Sequence, residues 1–401
     1  MSRSAVWVFG LVFFAGCAGS EGPPPFLHGE FYQQLRDHAE SFLLIDGDWK
    51  EDMDDGLFYG LAYYARAGES EDDEAFRARA QEAYQRDVRL VQEADLLTGD
   101  MNQAFMAALG LVEYMDATGD RGHLADLDGM IEDVNELVST LGHYLPPEAM
   151  PGYAMETYGP TSINGLMSLL SLQRAFVLGG ADAETLTAFS NEVAKKIGER
   201  SWNGASYDFG AGREGLFLYP NITMIILHAR LYQLTAGPEH LERALTTYQG
   251  MQPLKVTIES GWAGPGRYRS PYSAEYMGAQ SDDYSTLSSQ NYLMLALMLL
   301  YQVTGETAFL EEMDSVLDFL EGYLVGEACY SDVDLPGACD EPCPDGLACL
   351  KGECFEDACH QGVLHHWMDG RLAVPADPEY FCSGCNLQLL YLMWYRQEMI
   401  Q

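Results

Sequence analysis

The sequence has very little positive charge. Its 401 residues include 61 Asp and Glu against 22 Lys and Arg, which gives a formal net charge of −39. Proteins that bind nucleic acids present a basic surface to the phosphates, so this composition argues against a nucleic-acid partner. The same charge disfavours a protein that lies flat on anionic lipid. We expect the acids to form a solvated surface spread over many helix faces.

The sequence also lacks the short motifs that mark well-known catalytic and cofactor sites. It contains no GxSxG, HExxH, P-loop, dinucleotide-binding or EF-hand pattern. Its apolar runs are too short and too interrupted to span a bilayer. We therefore expect no cofactor and no resident metal.

The first residues have the features of an export signal. Arg3 precedes an apolar stretch from Ala5 to Ala15, and Gly16 and Cys17 follow. Residues 14–17 resemble a bacterial lipobox, which implies a signal peptide at 1–16, lipidation of Cys17 and a short tether at 17–27. The protein would then be exported and held at a bacterial membrane by its lipid alone. An ordinary signal peptide followed by an unrelated Cys is the alternative.

Cysteine is absent between residues 18 and 328 and abundant after them. An even set of eight in an exported chain predicts disulfides, whose connectivity the sequence leaves open. A zinc site that includes His360 is the alternative. Residues 326–362, which hold most of the set, are too few to bury a core and read as a disulfide-rich insertion. The eight are Cys329, Cys339, Cys343, Cys349, Cys354, Cys359, Cys382 and Cys385.

One sequence pattern recurs six times along the chain. A polar residue opens a run of Leu, Met, Ile and aromatic residues. Runs that are apolar nearly all the way round form buried helices, and internal repeats indicate the architecture before any single motif does. The copies open at Asp55, Asn102, Asn164, Asn221, Asn291 and Asn386.

Six amphipathic segments alternate with these runs, at residues 30–45, 72–94, 122–142, 183–198, 239–250 and 306–325. The alternation predicts an all-α fold over residues 28–401, an (α/α)6 toroid with the apolar helices inside and the amphipathic helices outside. Short strands are expected at 252–259 and 363–374. A solenoid of helical hairpins is the alternative fold. At this level the chain resembles the six-hairpin glycosidase-like superfamily, and the resemblance is one of architecture.

In such a toroid the segments that enter the inner helices line one end of the central cavity, and here they are rich in acids and aromatic residues. Planar rings pack on sugar faces, while carboxylates and guanidinium groups bind hydroxyls. Glycoside hydrolysis needs one protonated and one ionised carboxyl group across the scissile bond. We take Asp55, Asp100, Asp283 and Glu156 as candidate catalytic acids. The candidate substrate-binding residues are Trp49, Tyr158, Trp262, Tyr284, His366, Trp367 and Arg269.

Other roles compete for the same residues. An Asp or Asn before a helix is often an N-cap, and capping is the better explanation for the five Asn that open the repeats. His365 and His366 could act as acid and base, as in sugar epimerases built on the same barrel, or bind a metal with Asp369.

The sequence thus predicts an exported lipoprotein that acts on carbohydrate, by glycoside hydrolysis at the mouth of a helical barrel. The alternatives are a non-catalytic surface lipoprotein that binds glycan or protein, and a sugar epimerase or polysaccharide lyase.

Overall fold

A computed structural model describes residues 25–38, 57–93, 101–150, 158–210, 215–257, 264–270, 284–329, 347–350, 353–356, 359–364, 367–369, 374–375 and 383–399. Within these ranges lie twelve α-helices. They are α1 (Gly29–His38), α2 (Leu57–Ser70), α3 (Glu74–Gln92), α4 (Met101–Thr118), α5 (Leu124–Thr140), α6 (Gly159–Leu178), α7 (Ala183–Ser201), α8 (Leu218–Thr235), α9 (Pro238–Met251), α10 (Leu287–Thr304), α11 (Ala308–Phe319) and α12 (Ser383–Glu398).

The helices alternate between two kinds, as the repeats predict. The even-numbered helices are buried on nearly every side; in α8, the thirteen buried residues include every position from Pro220 to Leu231. The odd-numbered helices bury one stripe, which in α5 consists of Leu127, Met130, Ile131, Val134 and Val138. The described helices are all too short or too polar to cross a membrane.

The even-numbered helices form a closed inner ring. Each packs against the next along the chain, from α2 to α12, and α12 packs back on α2. Outer helices α3 to α11 pack outside this ring against helices near them in sequence, and α1 packs against α12. The all-α toroid predicted from the repeats is therefore confirmed.

The two ends of this barrel differ. Turns from an inner to an outer helix are short, as in residues 71–73 and 305–307, and lie at what we call the closed end. Gly305 ends α10 with φ = 74°, a left-handed conformation that favours glycine. Segments from an outer to an inner helix are longer, and we call their end the mouth. The inner helices run from the mouth to the closed end.

The short strands lie in the last third of the chain. β1 (Tyr284–Thr286), β6 (Trp367–Asp369) and β7 (Val374–Pro375) form one antiparallel sheet, in the order β1-β6-β7. β2 (Val325–Cys329) pairs with β5 (Cys359–Leu364), and β3 (Leu347–Leu350) pairs with β4 (Glu353–Glu356). β2 and β5 lie at the two ends of the segment 326–362 that the sequence predicts to be an insertion.

The strand expected at 252–259 is not formed as predicted. Gln252–Leu254 is a turn of 3-10 helix, after which Lys255 makes an isolated bridge to Tyr268. Pro253 has no backbone N–H to donate to a strand partner, which explains the turn.

Candidate functional site at the mouth of the barrel

Buried amides tie the entry segments to the inner helices. Asn164, in the second turn of α6, accepts a hydrogen bond from the Leu145 backbone N–H (2.7 Å) and donates to the Leu145 carbonyl (3.0 Å). In the next repeat Asn221 makes the same pair of bonds with Tyr207, at 2.8 and 3.0 Å. Each amide side chain thus satisfies both backbone groups of one residue in the preceding segment.

The fifth repeat uses a neighbouring residue for this purpose. Gln290 pairs with both backbone groups of Tyr268, each at 2.9 Å, while Asn291 donates to the Cys385 carbonyl at the start of α12 (2.8 Å). Capping is therefore the wrong explanation for Asn164, Asn221 and Asn291, which lie inside their helices and are fully buried. These amides fix the entry segments and so shape the mouth.

Aromatic side chains from three elements form the floor of the mouth. Tyr158 packs edge-on against Tyr219 (5.6 Å between centroids), and Tyr219 packs against Tyr292 (6.1 Å). The Tyr219 and Ser288 hydroxyls are 2.6 Å apart. The Tyr292 hydroxyl lies 3.7 Å from the Met106 sulfur. We call these five residues the aromatic floor.

The contact between Met106 and Tyr292 crosses the barrel. Met106 belongs to α4 and Tyr292 to α10, which stand on opposite sides of the inner ring. Each is the sixth residue of its helix, so the contact lies about 8 Å below the helix starts. The axis of the barrel is thus filled close to the mouth, and a ligand that enters there meets an aromatic surface.

The fifth and sixth entry segments meet above this floor. β1 and β6 pair so that Tyr284 lies opposite Asp369, and Thr286 lies opposite Trp367. Two predicted substrate-binding positions, Tyr284 and Trp367, therefore stand on adjacent strands. Tyr158 is also at the mouth, with 6% of its surface exposed.

The remaining predicted residues divide into two groups. Arg269 donates to the Pro253 carbonyl (2.7 Å), just after outer helix α9, so its side chain reaches the rim of the mouth. Arg267, two residues earlier, is fully buried and donates to the Ser285 hydroxyl. Lying outside the described residues are Cys17, Trp49, Asp55, Asp100, Glu156, Trp262, Asp283, Cys339, Cys343, His366 and Cys382.

A second polar group lies deeper in the barrel, and the sequence reasoning missed it. In one half, Arg66 on α2 donates to Glu113 (2.7 Å) and Asp116 (2.8 Å) on α4, and Gln173 on α6 donates to Glu113. In the other half, Arg230 donates to Gln233 on α8 (2.7 Å), which donates to Gln302 on α10 (3.2 Å), which donates to Tyr395 on α12. We call these residues the polar belt.

All six inner helices contribute to the polar belt. Its members occupy the last two or three turns of their helices, so the belt lies toward the closed end. The Arg230 guanidinium also packs on the Phe176 ring, 4.3 Å from its centroid. Burial lowers the pKa of Arg230, and nearby Tyr395 and Glu113 oppose that effect. Burial also opposes ionisation of Arg66, but Glu113 and other neighbours raise its pKa overall.

The sequence did contain a signal for the belt. Each of the otherwise apolar runs carries a polar residue nine to twelve positions after its opening residue, and these include Arg66, Glu113, Gln173, Arg230 and Gln302. A polar side chain at the same height in six buried helices has to find its partners inside the barrel.

Histidines on the described inner helices are limited to His228, which faces outward. Its Nδ1 lies 3.1 Å from Nδ1 of His240 on outer helix α9, and its Nε2 lies 2.9 Å from the Tyr207 hydroxyl. Burial lowers the pKa of both histidines. Among the described residues, no cluster of three His, Cys, Asp or Glu could hold a metal.

Comparison with solved structures finds the same architecture in sugar-processing enzymes. A sugar epimerase from a ruminal bacterium superimposes with a TM-score of 0.57 at 14% identity, over 92% of this chain and 98% of that one. An α-mannanase from Bacteroides thetaiotaomicron gives 0.54 at 11% identity, over 92% and 98%. An unsaturated glucuronyl hydrolase specific for heparin gives 0.53 at 12% identity, over 92% and 95%.

These likenesses cover nearly the whole of each chain, and they show the fold. The (α/α)6 toroid expected from the sequence is therefore shared with these structures. No protein-family model and no curated protein matches the sequence.

Proposed function

We propose that this protein acts on carbohydrate at the mouth of the barrel, by glycoside hydrolysis with a pair of carboxylates. The observation that carries the proposal is the aromatic floor, at the end of the barrel where segments rich in acids join the inner helices along the chain. Flat aromatic surfaces beside carboxylates suit sugar rings. The fold adds support, since the similar structures include an α-mannanase and a glucuronyl hydrolase.

The proposed acids come from different entry segments. Asp55 precedes α2, Asp100 precedes α4, Glu156 precedes α6 and Asp283 precedes α10. Hydrolysis requires that one carboxyl group stays protonated while its partner is ionised. A neighbouring aromatic surface and a second carboxylate both raise the pKa of an acid, which provides that difference.

The test is a screen of the purified protein, from Ser20 onward, against polysaccharides and aryl glycosides. The variants Asp55→Asn, Asp100→Asn, Glu156→Gln and Asp283→Asn run beside it, with Asp133→Asn on the exposed face of α5 as control. We expect one or two of the four to abolish product release while the control retains it. Release of product by all four variants would overturn the proposed acids.

A non-catalytic glycan-binding protein is the second candidate. The contact between Met106 and Tyr292 favours it, because it leaves the mouth shallow. Calorimetric binding of oligosaccharides without product release would establish this role. Chromatography of the sugars would reveal an epimerase instead, which among the sequence candidates would depend on His365 and His366. Release of unsaturated products would reveal a lyase.

We further propose that Cys17 carries a lipid and that the mouth faces away from the membrane. Phe26, Gly29 and Tyr32 at the start of α1 line a groove together with Glu71 and Gln397, both at the closed end. Cys17 lies eight positions before Pro25, a stretch that spans about 28 Å at most. Metabolic labelling with a fatty acid, lost in Cys17→Ser, tests the lipid. Faster protease access to the mouth than to the closed end in intact membranes tests the orientation.

A further inference from the structure

We infer that Cys329 and Cys359 form a disulfide bond that closes the base of the insertion. The two residues terminate the antiparallel pair β2–β5, in which they are direct Cα partners. Along the chain, residues 330–358 connect Cys329 to Cys359. The inference concerns one pairing among the many that eight cysteines allow.

The backbone register meets the geometric requirement for this bond. Directly opposed residues of an antiparallel pair have Cα atoms about 4.5–5.5 Å apart. Disulfides span Cα separations of about 4.4–6.8 Å. The ladder contains an irregularity between Gly326 and Glu327, beyond which the pairs Glu327–Gln361, Ala328–His360 and Cys329–Cys359 follow in register. No movement of the backbone is needed to bring the two cysteines within bonding range.

The other cysteines are compatible with this pairing. Cys339, Cys343, Cys349 and Cys354 all lie inside the insertion, an even number that can pair among themselves. Cys349 and Cys354 are themselves Cα partners across the β3–β4 hairpin. Cys385, outside the insertion, is disulfide-bonded, and Cys382 is then left as its partner.

The bond would also position the sixth entry segment. β5 packs against outer helix α1, and residues 365–366 lead from β5 to β6, which pairs with β1 at the mouth. A covalent link between β2 and β5 fixes where this segment starts.

Formation of the bond is an oxidation of two thiols. A thiolate of the pair attacks a disulfide of an oxidant, either a protein dithiol oxidase or a small-molecule disulfide, and forms a mixed disulfide. The second thiolate then displaces the oxidant. The protein loses two protons and two electrons, which the oxidant takes up: a protein oxidase leaves as its dithiol, and a small-molecule disulfide leaves as two thiols.

Peptide mapping tests the pairing directly. After free thiols are blocked, digestion on the N-terminal side of Asp isolates Cys329 in residues 318–331 and Cys359 in residues 357–368, with no other cysteine in either peptide. We expect a species with the mass of both peptides joined, which reduction separates. A Cys329 peptide that is blocked, or joined to any other peptide, would overturn the inference.

Paired variants test the effect on the fold. We expect Cys329→Ser with Cys359→Ser to lower the Tm and to increase the rate of proteolysis in residues 357–375, while the Cys385 bond persists. Cys349→Ser with Cys354→Ser is the matched control, which should leave proteolysis in residues 357–375 unchanged. Equal effects of the two double variants would contradict a special role at the base. Should the first variant fail to fold, the map of the wild-type protein still decides the pairing.

Discussion

Replacing Glu113 by Gln removes the charge at the centre of the polar belt and keeps the shape of the side chain. Glu113 is 1% exposed and accepts hydrogen bonds from Arg66 and Gln173, on two other inner helices. The two carboxylate oxygens of Glu113 each accept one of these bonds. The amide that replaces them has one oxygen that accepts and one NH2 group that only donates, so one of the two bonds is lost. Arg66 keeps its 2.8 Å bond to Asp116, whose side chain is 31% exposed.

The expected cost follows from these contacts. Removing one partner of a buried ion pair destabilises a protein by about 3–5 kcal/mol, because the other charge stays buried without compensation. The remaining Asp116 offsets part of this loss, so we expect Glu113→Gln to lower the unfolding free energy by about 2–4 kcal/mol. Replacing the pair together, with Arg66→Met and Glu113→Leu, should recover most of that loss because no buried charge is left unpaired.

Urea unfolding at neutral pH, followed by circular dichroism, measures these differences. Glu132→Gln, on the exposed face of α5, is the control and should fall within about 0.5 kcal/mol of the wild type. If Glu113→Gln also falls in that range, the belt does not stabilise the barrel. If the double variant loses as much as the sum of its single variants, Arg66 and Glu113 act independently.

Three further predictions concern other parts of the fold. Asn221→Ala leaves both buried backbone groups of Tyr207 without their partner, so unfolding free energy should fall by about 2–4 kcal/mol in urea; wild-type stability would contradict the role of the amide. Gly250→Ala places a Cβ 2.1 Å from a backbone oxygen and should lower the Tm, whereas Gly129→Ala meets nothing within 4 Å and should raise it; shifts of the same sign would refute this. Burial raises the pKa of Asp87 from 3.8 to about 6, so ionisation disfavours the folded state above pH 3.8, and fully above pH 6. The unfolding free energy of Asp87→Asn, taken relative to that of the wild type, should therefore rise by about 3 kcal/mol as the pH rises from 4 to 7. A difference that does not change with pH would refute it.

The helices could be predicted because burial leaves a periodic record in the sequence. Within the predicted amphipathic segment 306–325, α11 buries a stripe that includes Phe309, Leu310, Met313, Val316 and Leu317. The α-helix ends earlier than predicted, at Phe319, and continues as a wider π-helical turn through Leu324 into β2. Hydrophobic spacing indicates which residues face the core, but it does not show whether the last turn of a helix is α-helical or π-helical.

The polar contacts inside the barrel were harder to predict, because they depend on distant partners. Asn164 and Asn221 resemble helix caps in a linear reading, and only the fold shows that each reaches a segment 19 or 14 residues earlier. Arg66 and Glu113 are 47 positions apart, and nothing in their local sequences relates them. A single sequence shows that a buried run contains a polar residue. The identity of its partner becomes clear only when the inner helices are arranged in a closed ring.

The two filled levels of the barrel together determine how a ligand can reach the site. Met106 and Tyr292 meet across the axis near the mouth, and Glu113 lies seven residues beyond Met106 on α4, about 10 Å deeper. Arg66 on α2 and Arg230 on α8 stand on opposite sides of the ring at that second level, where both lie within electrostatic range of Glu113. A chain-like ligand therefore has to enter and leave at the mouth, because threading it through would displace both a packed aromatic contact and buried charges. Under the proposed function, removing the side chain of Tyr292 should change carbohydrate binding at the mouth, while a change in the polar belt should alter stability and leave that binding intact.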